Sequence, residues 1–128
     1  MEVTYQEGVW RGPLIVLINR NTGSAASEFA AVLKDNHAAL LLGEPADGGC
    51  GHTLNGPPVK LKYSGAIFEM PDCARFRADG TNEITGVEPD ILVGFTGTEG
   101  PHARAQRFIK KLPDAVVSVR AMAGVSRP

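Results

Sequence analysis

The chain has 128 residues, enough for one compact domain, and its 43% hydrophobic and 21% charged residues are typical of an ordinary globular protein. A formal net charge of −1 argues against a nucleic acid or an anionic membrane surface as partner, because binding either of them requires a basic face. No apolar run approaches the roughly 18 residues of a membrane span. The polar segment 1–11 lacks the pattern of a signal peptide.

The first predicted elements form a strand–helix–strand unit. Residues 14–18 are all apolar, which indicates a strand buried on both faces, as in a parallel sheet flanked by helices. From 24 to about 36 the apolar spacing becomes that of an amphipathic helix, and a second apolar run follows at 38–42. This order predicts a right-handed βαβ crossover. The helix is expected to pack through a face made of Ala25, Phe29, Val32 and Leu33.

The middle of the chain predicts irregular structure followed by short strands. Residues 43–58 are rich in glycine and proline and do not suit a regular element. Two alternating segments, 59–63 and 66–70, predict a β-hairpin, and 91–93 predicts a short strand.

A last amphipathic helix begins at Pro101. Its expected buried face consists of Ala105, Phe108, Ile109 and Leu112. Beyond Pro113 no clear period continues, so we expect a loosely held tail over 113–128. The whole chain, 1–128, is predicted to be a single domain with its core at about 12–112.

Ser24 is the most informative position, because it opens the predicted helix directly after a buried strand and a short polar turn. Open α/β sheets bind ligands at this carboxyl edge of their strands. The free N–H groups of the first helical turn point to the same place and can stabilise an oxyanion. From the residues alone two interpretations stay open, a catalytic nucleophile and an ordinary N-cap.

Two separated motifs then identify a family resemblance. Thr-Gly-Ser-Ala-Ala-Ser-Glu at 22–28, with Leu-Lys-Asp-Asn at 33–36 and Leu-Leu-Gly-Glu-Pro at 41–45, resembles the nucleophile region of the tail-specific (C-terminal processing) serine proteases. Gly-Val-Glu-Pro-Asp-Ile at 86–91 resembles the closing motif of that family. The resemblance implies an α/β fold of the ββα superhelix type shared with ClpP and crotonase. It also implies that Ser24 is the nucleophile and that the N–H of the next residue, Ala25, is an oxyanion donor.

The sequence departs from that family at the position of the general base. Bacterial and thylakoid members carry a lysine in the loop after the second strand, and the matching residue here is Gly49. The glutamine four residues later in some members is matched by Thr53. This excludes a Ser–Lys dyad on this alignment and favours the branch of the tricorn protease and the interphotoreceptor retinoid-binding protein. Similarity to the tricorn arrangement makes Glu83 the candidate orienting carboxylate, and the alternative is a polar residue in an exposed turn.

The remaining candidate residues are histidines and cysteines. His52 is either a base near the helix start or a solvent-exposed side chain of a glycine-rich loop. His37 is interpreted as a partner of the helix dipole at the C-terminal end of the first helix. His102 lies at the start of the last helix and has no recognisable partner in the sequence. Cys50 and Cys73 are compatible with a disulfide closing a loop of about 23 residues, or with two separate thiols. No metal site is predicted, because their spacing with His52 fits no zinc pattern, and no cofactor is predicted either.

The resemblance implies a serine endopeptidase that hydrolyses peptides or proteins through an acyl-enzyme. Family members carry further strands and part of the site before the position of Gly12 and Pro13, so we expect an N-terminal half of the catalytic domain as a partner that supplies the base. We therefore expect this chain alone to be inactive. Self-association is left open, and the family favours the periplasm or the extracellular space. The alternative is a non-catalytic module that keeps the fold and binds a ligand or peptide; a crotonase-type enzyme fits less well, because that group lacks both motifs.

Overall fold

The computed structural model describes residues 7–50, 58–95 and 97–125. Within these ranges, the elements in chain order are β1 (Ile15–Ile18), α1 (Ala25–Asp35), β2 (Leu40–Gly43), β3 (Val59–Lys60), β4 (Ile67–Phe68), a 3-10 helix (Glu83–Thr85), β5 (Ile91–Leu92) and α2 (Pro101–Val125). The chain thus has the mixed α/β architecture that the sequence predicts. Its assignment to the ClpP/crotonase superhelix stays a prediction.

A three-stranded parallel sheet with the order β1–β2–β5 forms the centre of the fold. β1 and β2 pair with Ile15 opposite Leu40 and Ile18 opposite Gly43, and α1 connects them in the chain. The predicted strand–helix–strand unit is therefore confirmed. The central strand β2 is buried at all four positions, whereas Leu17 in the edge strand β1 is 57% exposed. Burial on both faces thus holds for β2 and not for β1.

Helix α1 packs on the sheet through small residues. Its buried positions are Ser27, Ala30 and Ala31. This corrects the predicted face, which consisted of Ala25, Phe29, Val32 and Leu33. Phe29 and Val32 are exposed in the structure. Alanine side chains let the helix axis lie close to the strands, so the larger apolar residues sit at the flanks of the contact.

Helix α2 continues through Pro113 to Val125. Ala115 and Val119, both beyond that proline, are buried in a core cluster with Leu40 and Leu42 of β2. Burying these side chains offsets the backbone hydrogen bond that a proline removes from a helix interior. The predicted loosely held tail is therefore corrected over residues 113–125.

The packed face of α2 also differs from the predicted one. Phe108 and Met122 pack against the same core cluster as Ala115, which follows the spacing of one face of a long helix. Ile109 and Leu112, which the sequence placed in the core, are exposed. Because the helix does not end at residue 112, its contact with the sheet is set by residues further along.

The closing motif, residues 86–91, holds β5 against the sheet through hydrogen bonds and an ion pair. Asp90 accepts a hydrogen bond from the Leu41 N–H through Oδ2 at 2.8 Å, and its own N–H donates to the Leu41 carbonyl at 2.8 Å. Lys34 Nζ, from α1, lies 3.1 Å from Asp90 Oδ1. Gly86 has a φ of 86°, and a Cβ there would lie only 1.9 Å from the Ala46 carbonyl oxygen. These contacts fix the position of the residues just before Gly86.

Strands β3 and β4 form a separate antiparallel hairpin, as predicted, with Val59 opposite Phe68. Its large apolar side chains are exposed, Tyr63 at 95%. Among the described residues, no helix is long and apolar enough to span a membrane.

Candidate active site

Three segments meet at the carboxyl edge of the sheet, where the sequence places the site. β1 and β2 end side by side, so the turn 19–24 and the loop 44–50 leave the sheet at the same place. A backbone hydrogen bond of 2.9 Å from the Asp47 N–H to the Thr22 carbonyl joins them. The third segment, 75–86, packs against the loop.

The loop 44–50 and the segment 75–86 are in direct backbone contact. A Cβ at Gly48 would lie 2.1 Å from the Gly86 nitrogen and 2.5 Å from the Glu83 carbonyl oxygen, so only glycine fits. The Gly49 N–H donates to the Glu83 carbonyl at 2.9 Å. This contact brings Gly49 next to the backbone of Glu83.

Ser24 occupies the junction between the turn and α1 in a strained conformation. Its φ of 55° and ψ of −128° lie in a region that non-glycine residues rarely adopt. Such a conformation costs on the order of 1–3 kcal/mol and persists only where its surroundings enforce it. The Ser24 hydroxyl makes no capping hydrogen bond to the helix, although the residue stands at the N-cap position. The ordinary N-cap interpretation therefore does not explain this serine. Ser24 is exposed, so the described residues do not enclose it in a cleft.

The first turn of α1 leaves a backbone donor beside Ser24. The Ala26 N–H donates to the Gly23 carbonyl at 3.2 Å, and the Glu28 N–H donates to the Ser24 carbonyl at 3.1 Å. Within the described ranges, the N–H of Ala25 donates to no protein acceptor. This N–H, next to the nucleophile candidate, is therefore available to hold a negatively charged oxygen.

Glu83 is buried, with only 3% of its surface exposed, so the interpretation as a residue of an exposed turn is wrong. Its Oε1 accepts a hydrogen bond of 3.0 Å from Ser27 Oγ, and Ser27 is itself fully buried. A buried carboxylate requires such donors to offset its loss of hydration. In the described residues no hydrogen bond joins Glu83 directly to Ser24; its partner is the serine one turn further along α1.

Arg75, which the sequence analysis did not single out, connects these groups. Its Nη1 donates to the Ser24 carbonyl at 2.9 Å, and its Nη2 donates to the Gly49 carbonyl at 2.8 Å. Nη1 also lies 3.8 Å from Glu83 Oε1. The side chain is only 13% exposed. Nothing in the sequence distinguishes this arginine from the others, because its role depends on how three distant segments fold together.

A disulfide joins Cys50 and Cys73, with their Cα atoms 5.6 Å apart. Cys50 directly follows Gly49, and Cys73 lies two residues before Arg75. The bond therefore ties the end of the loop 44–50 to the start of the segment 75–86. A bridge across 23 residues contributes on the order of 3 kcal/mol to stability when it is unstrained.

A second arginine, Arg77, forms a separate ion pair at the other end of α1. Its Nε donates to Asp35 Oδ2 at 3.0 Å, and its Nη2 donates to Asp35 Oδ1. The hydrogen bonds from Arg77 lower the pKa of the Asp35 carboxyl, although partial burial opposes the shift. The same pair raises the pKa of Arg77. Arg77 makes none of the contacts of Arg75 to the Ser24 turn.

The other candidate residues lie away from this edge or outside the described ranges. His52 and Thr53 fall in the segment 51–57, outside the residues that the structure describes. His37 is exposed just after α1, with a φ of 51°, and His102 is exposed in the first turn of α2. Among the described residues, no group of three or more His, Cys, Asp or Glu side chains is arranged to hold a metal ion.

A comparison with known families matches most of the chain. Residues 2–93 match the profile of Peptidase family S41. A protein of Chlamydia muridarum, described as uncharacterized, is 30% identical over 108 residues, which are 84% of this chain and 18% of the relative. The chloroplastic carboxyl-terminal-processing peptidase 2 of Arabidopsis thaliana is 36% identical over 87 residues, 61% of this chain and 15% of the relative.

Solved structures give a similar match. The crystal structure of mature CPAF aligns with 90% of this chain at a TM-score of 0.65 and 27% identity. The structure of mature CPAF complexed with lactacystin aligns with 84% at the same TM-score and 29% identity. The chain spans 21% and 20% of these two structures, and 18% and 15% of the two relatives above.

Proposed function

The chain belongs to peptidase family S41, and from that premise we propose that it is the nucleophile-bearing part of a serine-type peptidase whose attacking atom is Ser24 Oγ. The proposed activity is hydrolysis of a peptide bond through an acyl-enzyme. The proposal rests on the family match together with the geometry of Ser24.

The conformation of Ser24 is the observation that carries this proposal. A serine at a helix start normally uses its hydroxyl to cap the helix, and that capping is worth about 1 kcal/mol. Ser24 instead has a φ of 55° and leaves the capping bond unmade. Strained non-glycine residues cluster at active sites, and a nucleophilic serine on a sharp strand-to-helix turn is a known solution to exposing its hydroxyl. The strain thus supports a functional role for the hydroxyl.

In the proposed reaction, Ser24 Oγ attacks the substrate carbonyl carbon while a general base takes its proton. The carbonyl oxygen becomes an oxyanion held by the Ala25 N–H, and one such donor is typically worth about 10²–10³ in rate. The tetrahedral intermediate collapses to an acyl-serine as the protonated base gives its proton to the leaving amine. Water, activated by the same base, then releases the peptide acid and restores the serine.

We propose that the general base comes from outside this chain. Gly49 has no side chain at the position where other family members carry lysine. Arg75 is close, but a guanidinium does not give up its proton in proteins, and its contact is to the Ser24 carbonyl. Glu83, held by Ser27 and Arg75, is proposed as the carboxylate that orients the base. This arrangement favours the tricorn-like branch and a ClpP/crotonase superhelix completed by an N-terminal half.

The absence of a side chain at Gly49 also favours a second candidate, a non-catalytic module that keeps the fold and binds a peptide or ligand. The two candidates differ in the reactivity of Ser24. A binding module has no need of a nucleophilic hydroxyl, and a peptidase does.

The test is turnover of casein by the purified chain, with and without an N-terminal half of the catalytic domain. We expect little turnover by the chain alone and clear turnover by the combination, lost in the Ser24→Ala variant. Turnover that persists in Ser24→Ala contradicts the assignment of the nucleophile. If neither sample acts on casein or reacts with a fluorophosphonate, the binding module is the better account.

A further inference from the structure

The guanidinium of Arg75 holds two loops of the candidate site by their backbone. Nη1 donates to the carbonyl of Ser24 itself and Nη2 to the carbonyl of Gly49, at 2.9 and 2.8 Å. The two carbonyls belong to the turn 19–24 and the loop 44–50, which leave the sheet at the same edge. Arg75 itself belongs to a third segment, 75–86. We propose that Arg75 is a positioning residue that keeps the Ser24 turn in its strained, reactive conformation. This inference rests on the proposed function of Ser24.

The strain at Ser24 requires an outside group to maintain it. If the turn relaxed to a negative φ, the hydroxyl could reach the N–H groups of the first helical turn and cap α1 as an ordinary serine does. A hydrogen bond from a charged donor to the Ser24 carbonyl fixes the peptide plane that follows this residue and opposes that relaxation. Arg75 therefore favours the conformation in which the hydroxyl leaves the capping hydrogen bond unmade.

The surroundings of Arg75 are those of a side chain held in one conformation and not of a mobile surface residue. Its side chain is 13% exposed and lies 3.8 Å from the buried carboxylate of Glu83. Glu28 Oε2 lies 3.9 Å from the same Nη1. The disulfide from Cys73 anchors the backbone two residues before it. One guanidinium thus links the nucleophile candidate to the carboxylate that is proposed to orient the base.

An arginine is required here, because two carbonyls on different loops must be bound by one side chain. The planar guanidinium offers donors in a rigid fork, whereas a lysine ammonium is a single charge on a flexible stem. Arg75→Lys keeps the charge and is expected to keep one of the two contacts. Arg75→Met keeps most of the volume and loses both.

Arg77 provides a matched control. It lies two residues further along the same segment, is similarly buried with 16% of its side chain exposed, and binds Asp35 at the far end of α1. Arg77→Met removes an ion pair of the same helix without touching the Ser24 turn. Both Arg75→Met and Arg77→Met are expected to lose stability, but only Arg75→Met is expected to lose the reactivity of Ser24.

The experiment measures fluorophosphonate labelling of Ser24 in the chain combined with the N-terminal half of the catalytic domain, as a function of probe concentration. This separates the maximal labelling rate from the probe concentration at half-saturation, and thermal unfolding of each variant confirms that it is folded at the assay temperature. A misplacement of a reacting group by about 1 Å costs on the order of 100-fold, so we expect Arg75→Met to lower the maximal rate by about 10- to 100-fold with little change in half-saturation. The maximal labelling rate of Arg75→Lys should lie between those of Arg75→Met and the unsubstituted protein. The rate of Arg77→Met should stay within about threefold of the unsubstituted protein.

The outcomes separate this inference from the function on which it rests. Equal labelling rates in the folded Arg75→Met and Arg77→Met variants overturn the role of Arg75 while leaving Ser24 as the nucleophile. If Arg75→Met does not fold, Arg75→Lys decides, and a maximal rate within about twofold of the unsubstituted protein overturns the proposal. If the unsubstituted protein is not labelled at Ser24, the proposed function fails, and the positioning role fails with it.

Discussion

The hydrogen bond from Ser27 to Glu83 allows a quantitative test of how the site is held together. Both residues are buried, and Ser27 Oγ lies 3.0 Å from Glu83 Oε1. Ser27→Ala removes the donor and leaves a helix position that alanine fits, as Ala30 and Ala31 already do. Only the hydrogen bond and its effect on the buried carboxylate change.

The size of the effect follows from the charge of the acceptor. A hydrogen bond to a charged group contributes about 1.5–3 kcal/mol, more than a neutral one. Alanine is a better helix former than serine by about 0.5 kcal/mol, which offsets part of the loss. We therefore expect Ser27→Ala to lower the free energy of unfolding by about 1–2.5 kcal/mol. The change corresponds to a factor of roughly 5–70 in the folded-to-unfolded ratio, since about 1.4 kcal/mol is tenfold.

The assay is urea unfolding at neutral pH, read from the midpoint at unchanged slope. Ser118→Ala is the matched control, because Ser118 Oγ donates to the Asp114 carbonyl of its own helix and its loss should cost no more than about 0.5 kcal/mol. A double-mutant cycle with Glu83→Met, which removes the acceptor, should give a coupling energy of about 1 kcal/mol or more. A coupling energy near zero, with Ser27→Ala no worse than Ser118→Ala, would refute the assignment of this bond.

Three further predictions concern the fold around the site. Val119→Ala should destabilise the protein by about 1.5–3 kcal/mol in urea unfolding, because this side chain, beyond Pro113, is buried. Val117→Ala, on the exposed face of the same helix, should cost less than about 0.5 kcal/mol. Equal effects of the two substitutions would favour a loosely held tail. Hydrogen bonds from Arg77 lower the pKa of Asp35 in the folded protein. The ion pair therefore stabilises the fold fully at pH values above the pKa of Asp35 in the unfolded chain, about 3.9. This stabilisation is lost as the pH falls through the lowered pKa of Asp35 in the folded protein. The stability gap between the unsubstituted protein and Asp35→Asn should therefore be larger at pH 7 than at about pH 3, and a gap that does not change with pH would contradict this. Thiol titration under denaturing, non-reducing conditions should find no free thiol, and two titratable thiols would rule out the disulfide.

The parts of the fold that depend on local pattern could be predicted from the sequence. The apolar run in β2 and the change of period at Ser24 are contained in short segments, and they led to the parallel sheet and the strand-to-helix junction. The face of α1 was predicted wrongly for a physical reason. Hydrophobicity favoured Phe29 and Val32, but close packing on the sheet selected Ala30 and Ala31.

The parts of the site that depend on long-range packing could not be predicted. Ser27 and Glu83 are 56 residues apart in the chain, and Arg75 and Ser24 are 51 apart. Their contacts exist because glycines let the loop 44–50 approach the segment 75–86 within backbone contact. Family resemblance pointed to Glu83, while Arg75 had no signal of its own. The role of a partly buried arginine can be recognised only once its hydrogen-bond acceptors have been located.

The most direct test of the central claim is the location of the covalent adduct. The chain, combined with the N-terminal half of the catalytic domain, is treated with a fluorophosphonate, digested and sequenced by tandem mass spectrometry, with a heat-denatured sample as the control for non-specific reaction. One adduct per chain is expected, on Ser24, absent after denaturation and absent in Ser24→Ala. An adduct on another serine, or none on the folded protein, would contradict the claim that Ser24 is the nucleophile.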